Sequence, residues 1–406
     1  MNITQGAGHK KILFLGHEAT RTGAPLFLLH ALRWLRENRS YELELICTRG
    51  GELAADYAAL LPTQDLTAVF RKDLPNRIYY GLHRHLTSQE RWQRKFRQLV
   101  KRQQPALIYA NTVAMFAAVE ACAGLNIPII WNIHELSFHI AEFNVAGGFD
   151  RARRLADQFI VPSEAAKTGL VEKHEIAPEK IAVVRGFVRP EDHAGQDRAA
   201  CRAALRRELG LPADAFIAGN CGQVSWFKGL DWFLSTAKIL RTEFPDQEIH
   251  LVWLGGMESA RRRREVEFDL RLAGLQAHVH FLGARAHSAQ VLAGLDVFFL
   301  SSREESGPLV VLEAGYHELP IVCFDHSGGG PEFVGSDAGM ICGYGDIRAA
   351  ARALVQLKAE PENRRRMGAA AGKKVREQFQ LEQQVPKIGA LIDGMCGTRQ
   401  PAVNHP

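Results

Sequence analysis

Residues 297–315 read VFFLSSREESGPLVVLEAG. A short apolar run, VFFL, ends in a polar loop, and Pro308 then opens a second apolar stretch. An apolar run bounded by turn residues reads as a buried strand. Proline is well placed in the first turn of a helix. The segment is therefore a strand, a loop and a helix, the unit from which parallel sheets are built. Glu305 lies in the loop just before the helix, and Glu313 lies inside it, about a turn and a half from its start. Two carboxylates at this spacing can face one ligand from a loop and from a helix. The N–H groups at the helix start, around Ser306, Gly307 and Leu309, suit a phosphate.

The same alternation extends in both directions. Upstream lie AFIAGNCG (215–222), EIHLVWLGG (248–256) and VHFLGA (279–284), and downstream lies PIVCFD (320–325). Helical stretches such as DWFLSTAKILRTEF separate them. The first half repeats the pattern with KKILFLG (10–16), YELELICT (41–48), ALIYANT (106–112), PIIWNIHE (128–135), DQFIVPS (157–163) and KIAVVRG (180–186). Strands alternating with helices mean parallel sheets. The fold class expected is α/β, two doubly wound, Rossmann-like domains facing across a cleft. Open parallel sheets bind ligands at the carboxyl ends of their strands. The polar segment 190–210 is the best boundary. This gives residues 1–192 and 193–380 as two domains, with 381–406 as a helix crossing back to the first domain and a frayed tail.

Composition narrows the class. The chain has 406 residues, 46% hydrophobic and 23% charged, which are ordinary globular values. No run is long and apolar enough for a transmembrane helix, and the start, MNITQGAGHKK, lacks the apolar core of a signal peptide. A cytoplasmic protein is expected. Seven widely spaced cysteines with no CxxC argue for free thiols, against a disulfide framework and against a zinc site. The net charge of +5 is uneven. Residues 1–190 carry +7 and the remainder −2. A basic half suits an anionic surface and is too weak to indicate nucleic acid.

Four further stretches carry chemistry. In GNCGQVSWFKGLDWFL (219–234), a strand ends at Gly222 and Lys228-Gly229 precedes a helix. Lysine is a compact charge on a flexible stem, suited to a diphosphate. Read alone, Lys228 also fits an exposed lysine at a helix entry, and Glu305 a solvated loop acid. GHEATRTGAP (16–25) holds His17 and Gly23 in the first strand–helix loop; it is not GxGxxG, so a dinucleotide is poorly supported. In WNIHELSFH (131–139), His134 and Glu135 sit where a strand ends. His139 is one residue too far for HExxH, so no metal is expected. DHSGGGPEFV (325–334) offers backbone amides that suit an anion. Finally, ERWQRKFRQLVKRQ (90–103) sets Trp92, Phe96, Leu99 and Val100 on one stripe among six basic residues. That pattern fits a helix on anionic lipid, and equally a stripe packed on the sheet with its arginines in solvent.

The pattern S-x-x-E-x-x-x-P-L-V-V-L-E-A-G, with Glu305 and Glu313 eight apart, resembles the family 4 retaining glycosyltransferases, which have the two-domain GT-B fold. The likeness covers most of the chain and is strongest over residues 215–335. It implies a nucleotide-diphospho-sugar donor on the second domain, with Glu313 at the ribose hydroxyls, Glu305 at the transferred sugar and Lys228 at the leaving diphosphate. Many members carry Arg directly after the glycine, five residues before this lysine; here it is Gln223. The resemblance places Gly23 toward the donor phosphates and His134 beside the transferred sugar and acceptor, with Glu135 orienting it or binding acceptor. Gly255, Leu282 and Gly283 are the candidates at the base.

The function expected on this basis is retaining transfer of a hexose-type sugar, with no metal or other cofactor, to a saccharide or lipid-linked acceptor in cell-surface polysaccharide or glycolipid assembly. Residues 90–103 would provide a peripheral contact with an anionic membrane, and no nucleic-acid partner is expected. Two alternatives stay open. One is an inverting GT-B transferase or epimerase with His17 as base. The other is a non-catalytic module that binds a sugar nucleotide or a lipid surface.

Overall fold

The computed structural model describes residues 10–66, 86–286 and 288–397. The chain forms two compact units. One runs to Pro162 and also holds Ala166–Val184 and the stretch from Glu382; the other holds Ser163–Ala165 and Arg185–Leu381.

Among the described residues the first unit carries seven parallel strands: β1 (Lys11–Gly16), β2 (Glu42–Cys47), β3 (Thr63–Asp65), β4 (Leu107–Asn111), β5 (Ile129–Asn132), β6 (Gln158–Val161) and β7 (Ile181–Val183). Their order is β3-β2-β1-β4-β5-β6-β7. Among the described residues the second unit carries six: β8 (Phe216–Cys221), β9 (Ile249–Leu254), β10 (Val279–Gly283), β11 (Val297–Leu300), β12 (Ile321–Phe324) and β13 (Gly339–Cys342). Their order is β10-β9-β8-β11-β12-β13. Central strands such as Ile12–Leu15 and Val297–Leu300 are buried along their whole length. Helices on both faces require such unbroken apolar runs. Each sheet reverses its strand order once, between β1 and β4 and between β8 and β11. The loops that leave a sheet at such a point diverge to opposite faces and open a crevice.

The polar segment 190–210 lies inside the second unit. It forms the helices Pro190–His193 and Arg198–Glu208. Arg206 is 1% exposed. Its guanidinium reaches Asp296 Oδ2 at 2.6 Å and the carbonyls of Ala215 and Gly294. A buried charge persists only when paired and hydrogen-bonded in this way.

The helix Leu86–Gln103 carries the basic stretch. Phe96 and Val100 are fully buried, and Trp92 and Leu99 pack on the same core. Its apolar stripe therefore faces the sheet, and the solvent face carries Arg91, Arg94, Lys101 and Arg102. Among the described residues no helix is long and apolar enough to cross a membrane. The last helix, Leu381–Gly397, docks on the first unit. Arg39 Nε donates to Asp393 Oδ2 at 2.9 Å, and a Cβ at Gly389 would stand 3.2 Å from the Trp34 ring. Glycine is what lets the two helices approach this closely. Residues beyond Gly397, including most of the expected tail, lie outside the described residues. All seven cysteines are free.

Candidate active site

In the second unit, the loops leaving β8 and β11 meet at the switch point. Lys228 Nζ forms an ion pair with Glu305 Oε1, to which Ser302 Oγ also donates at 3.0 Å. Both loops are locked. Asn220 Nδ2 donates to Ser301 Oγ at 2.8 Å, and Ser301 Oγ donates to the Lys228 carbonyl at 2.7 Å. Gly229 has φ +71°, and a Cβ there would lie 1.9 Å from the Ser301 carbonyl oxygen. Only glycine allows both the left-handed backbone and that approach.

The glycine-rich loop 325–334 braces Glu305 from the other side. Glu305 N donates to Ser327 O and Gly329 N donates to Glu305 O, each at 2.8 Å. The Gly329 amide, a candidate anion ligand from sequence, is thus engaged with backbone. Glu313 sits in the helix Leu309–Tyr316. Burial, with the Asp192 charge second, pushes its carboxyl up to about 7. Ser306, Gly307 and Leu309 are half-buried at the entrance to that helix.

The ends of β8, β9 and β10 are joined by backbone bonds. Val224 N donates to Gly256 O at 2.9 Å, and Gly255 N to Gly283 O at 2.9 Å. This brings Gly255, Leu282 and Gly283 beside the loop that carries Lys228. Gln223 is exposed in that loop. Arg303, in the Glu305 loop, does not replace the arginine absent at 223. Its guanidinium clamps Asp231 through two bonds of 2.8 and 2.6 Å and lies between the rings of Trp226 and Trp232, 4.5 and 4.2 Å from their centroids. It is a brace for the two loops, and the sequence reading passed over it.

In the first unit the corresponding switch point gathers His17, Asn111, His134 and Glu135. Asn111 Nδ2 donates to Ala24 O, which turns its Oδ1 toward His134 Nε2 at 2.8 Å. An amide oxygen only accepts, so the His134 proton is on Nε2. Burial, helped by the His17 charge, pushes His134 down to about 3, so the ring is neutral at neutral pH. Glu135 Oε2 accepts from the Val113 and His134 amides at 3.0 and 2.9 Å. It ties the loop after β4 to the loop after β5, and burial raises its carboxyl. His17 Nε2 lies 3.5 Å from Glu18 Oε1, and this contact, reinforced by Thr20, holds Glu18 down at about 2. Gly23 is exposed at the start of the helix Gly23–Asn38. Asn111 was missed in the sequence. A polar residue ending a buried strand, in ALIYANT, was the available signal. Among the described residues no group of three or more His, Cys, Asp or Glu side chains is placed to hold a metal ion.

Two parallel-sheet units, each with its polar side chains at the switch point, define the class of Rossmann-like GT-B proteins. Residues 215–360 match the group 1 glycosyl transferase model and residues 21–192 match Glycosyltransferase Family 4. Together these spans take in most of the sequence, and the chain belongs to the family 4, group 1 glycosyltransferases. It is 32% identical over 223 residues to a D-inositol 3-phosphate glycosyltransferase of Corynebacterium kroppenstedtii, covering 53% of this chain and 49% of that protein. The same enzyme of Corynebacterium aurimucosum is 28% identical, covering 61% of each. The chain thus spans about half to three fifths of these curated relatives. Among solved structures, Anabaena Alr3699/HepE in complex with UDP and glucose superposes with TM-score 0.77 at 20% identity, over 95% of this chain and 100% of that one. Sucrose-phosphate synthase from Thermosynechococcus elongatus does so with TM-score 0.75 at 17% identity, over 96% and 100%. Both share the fold.

Proposed function

We propose that the protein is a retaining glycosyltransferase that moves a hexose-type sugar from a nucleotide-diphospho-sugar to a hydroxyl of a saccharide or lipid-linked acceptor. The observation that carries this reading is the Lys228–Glu305 pair across the switch point of the second sheet. Lys228 takes the diphosphate and neutralises the charge that develops as it leaves. Glu305 sits at the transferred sugar, where positive charge grows. Glu313, once ionised, accepts from two ribose hydroxyls. The bond from the sugar C1 to the phosphate oxygen breaks, and the acceptor oxygen joins C1 on the same face. The acceptor proton passes to the departing phosphate oxygen. Stabilisation is electrostatic and positional, and the step needs neither a protein base nor a metal. Neutral His134, aimed by Asn111, orients the sugar and acceptor.

The Anabaena neighbour is described with UDP and with UDP-glucose bound, so UDP-hexoses are the first donors to try. Seven free thiols fit a reducing, cytoplasmic compartment, and surface polysaccharide or glycolipid assembly is the role this reading favours. The test is a thermal-shift screen of UDP-, GDP- and ADP-sugars, since bound donor raises apparent stability, followed by transfer assays. Loss of transfer in Lys228→Ala and in Glu313→Ala, with the fold intact, supports the reading. Full activity in both overturns it.

A second reading rests on the His17–Glu18 contact. A carboxylate held ionised beside an imidazole is how a general base is oriented. An inverting transferase would use His17 in this way. Product stereochemistry separates the two: an α-linked donor giving a β product selects inversion.

A further inference from the structure

The helix Ala260–Ala273, ARRRREVEFDLRLA, buries Val266 and Leu270 in the core of the second unit. At about 100° per residue, the direction opposite these two is occupied by Arg261, Phe268 and Leu272, flanked by Arg264 and Arg271. Phe268 is 51% and Leu272 71% exposed. A helix that docks by one stripe ordinarily presents polar residues on the other. Here two large apolar side chains one turn apart occupy the outermost position. The Arg271 guanidinium lies 5.5 Å from the Phe268 ring centroid. Arg261 pairs with Glu265 at 2.9 Å, a surface contact of little strength. Among the described residues Arg263, Arg264 and Arg271 take part in no salt bridge. Glu267 and Asp269 lie to the two sides of the outer face, about a quarter turn from its centre.

We propose that this face docks on an anionic lipid surface, with Phe268 and Leu272 entering the headgroup region and Arg264 and Arg271 contacting lipid phosphates. Charge and shape select that occupant. Two apolar side chains are far less than the roughly 800 Å² per partner of a stable protein interface. A nucleic-acid backbone would meet the arginines and leave Leu272 without a role. An apolar pair flanked by arginines is what an interfacial helix uses on anionic lipid. The inference stands apart from the transferase reading, because its test measures lipid binding alone.

The test is co-sedimentation of the full chain with phosphatidylcholine vesicles and with vesicles containing about one third phosphatidylglycerol. The expected result is binding to the anionic vesicles, weakened by salt and absent on phosphatidylcholine. Phe268→Ser with Leu272→Ser, and separately Arg264→Glu with Arg271→Glu, should each lower binding about tenfold without changing the unfolding midpoint. Arg91→Glu with Arg94→Glu, on the other basic helix, should leave most of it. The proposal is overturned if the chain does not bind anionic vesicles, or if both outer-face pairs bind like the unaltered chain. It is also overturned if loss is confined to the Arg91/Arg94 pair. A dimer in solution that the Phe268/Leu272 substitutions convert to monomer overturns it in favour of a second copy.

Discussion

The two switch points solve the same topological problem with opposite electrostatics. In the second unit a lysine and a glutamate are brought into contact, and a second carboxyl, that of Glu313, is lifted to about 7. In the first unit a histidine is kept neutral, pushed down to about 3, and fixed by an asparagine amide. One crevice presents a lysine–carboxylate ion pair, and the other presents an imidazole that is uncharged at neutral pH. The difference follows from what each buries: a carboxyl with a second acid nearby rises, and an imidazole cut off from water falls.

The largest test of this contrast is Lys228→Ala. If the charged crevice stabilises the leaving group, kcat should fall by about a thousandfold or more, with the melting midpoint little changed. His134→Ala should cost about a hundredfold in kcat, and Asn111→Ala, which only loosens the ring, about tenfold; steady-state rates on the same donor rank the three. Gly229→Ala acts on the scaffold. The methyl would meet the Ser301 carbonyl in a left-handed backbone, so unfolding should be easier by about 3 kcal/mol, read by urea titration. The smallest effects are in pH.

Below pH 6.5 the unfolded chain protonates His134 while the folded chain does not until about 3. This residue therefore lowers stability as pH falls from 6.5. Between about 4.5 and 7 the folded chain keeps the Glu313 proton that the unfolded chain has lost. Here stability falls as pH rises through that window. A pH series of unfolding midpoints should flatten on the acid side in His134→Asn and over the middle range in Glu313→Gln. Donor KM should fall severalfold from pH 6 to 8 as Glu313 ionises, and Glu313→Gln should lose that dependence.

The basic helices offer a second contrast, which the sequence alone read only in part. In residues 90–103 the periodic stripe is plain, and the structure turns it into the core. In Ala260–Ala273 the buried stripe is only Val266 and Leu270, and Phe268 and Leu272 point outward. Periodicity gives the spacing of apolar residues on a helix. It does not say which side the sheet lies on when both sides carry them.

The main strands were legible because buried parallel strands are apolar runs bounded by polar or turn residues. Thr63–Asp65 and Gly339–Cys342 were not named, being too short and mixed to stand out. The segment 190–210 reads as the best boundary because its charges are visible in sequence. That Arg206 is neutralised by Asp296, ninety residues on, is visible only in the fold.

By itself, then, the sequence determined the alternation of strands and helices, the two-unit α/β class, the loops that carry Lys228, Glu305 and His134, and the helix that carries Glu313. These depend on local pattern, which a linear chain displays. Tertiary structure alone decided that Lys228 meets Glu305, that Asn111 sets the His134 tautomer, that Arg303 is tied to Asp231, and which face of each basic helix meets solvent. Those facts depend on distances between residues far apart in the chain, and on a loss of solvent that exists only once the sheets have closed over their helices.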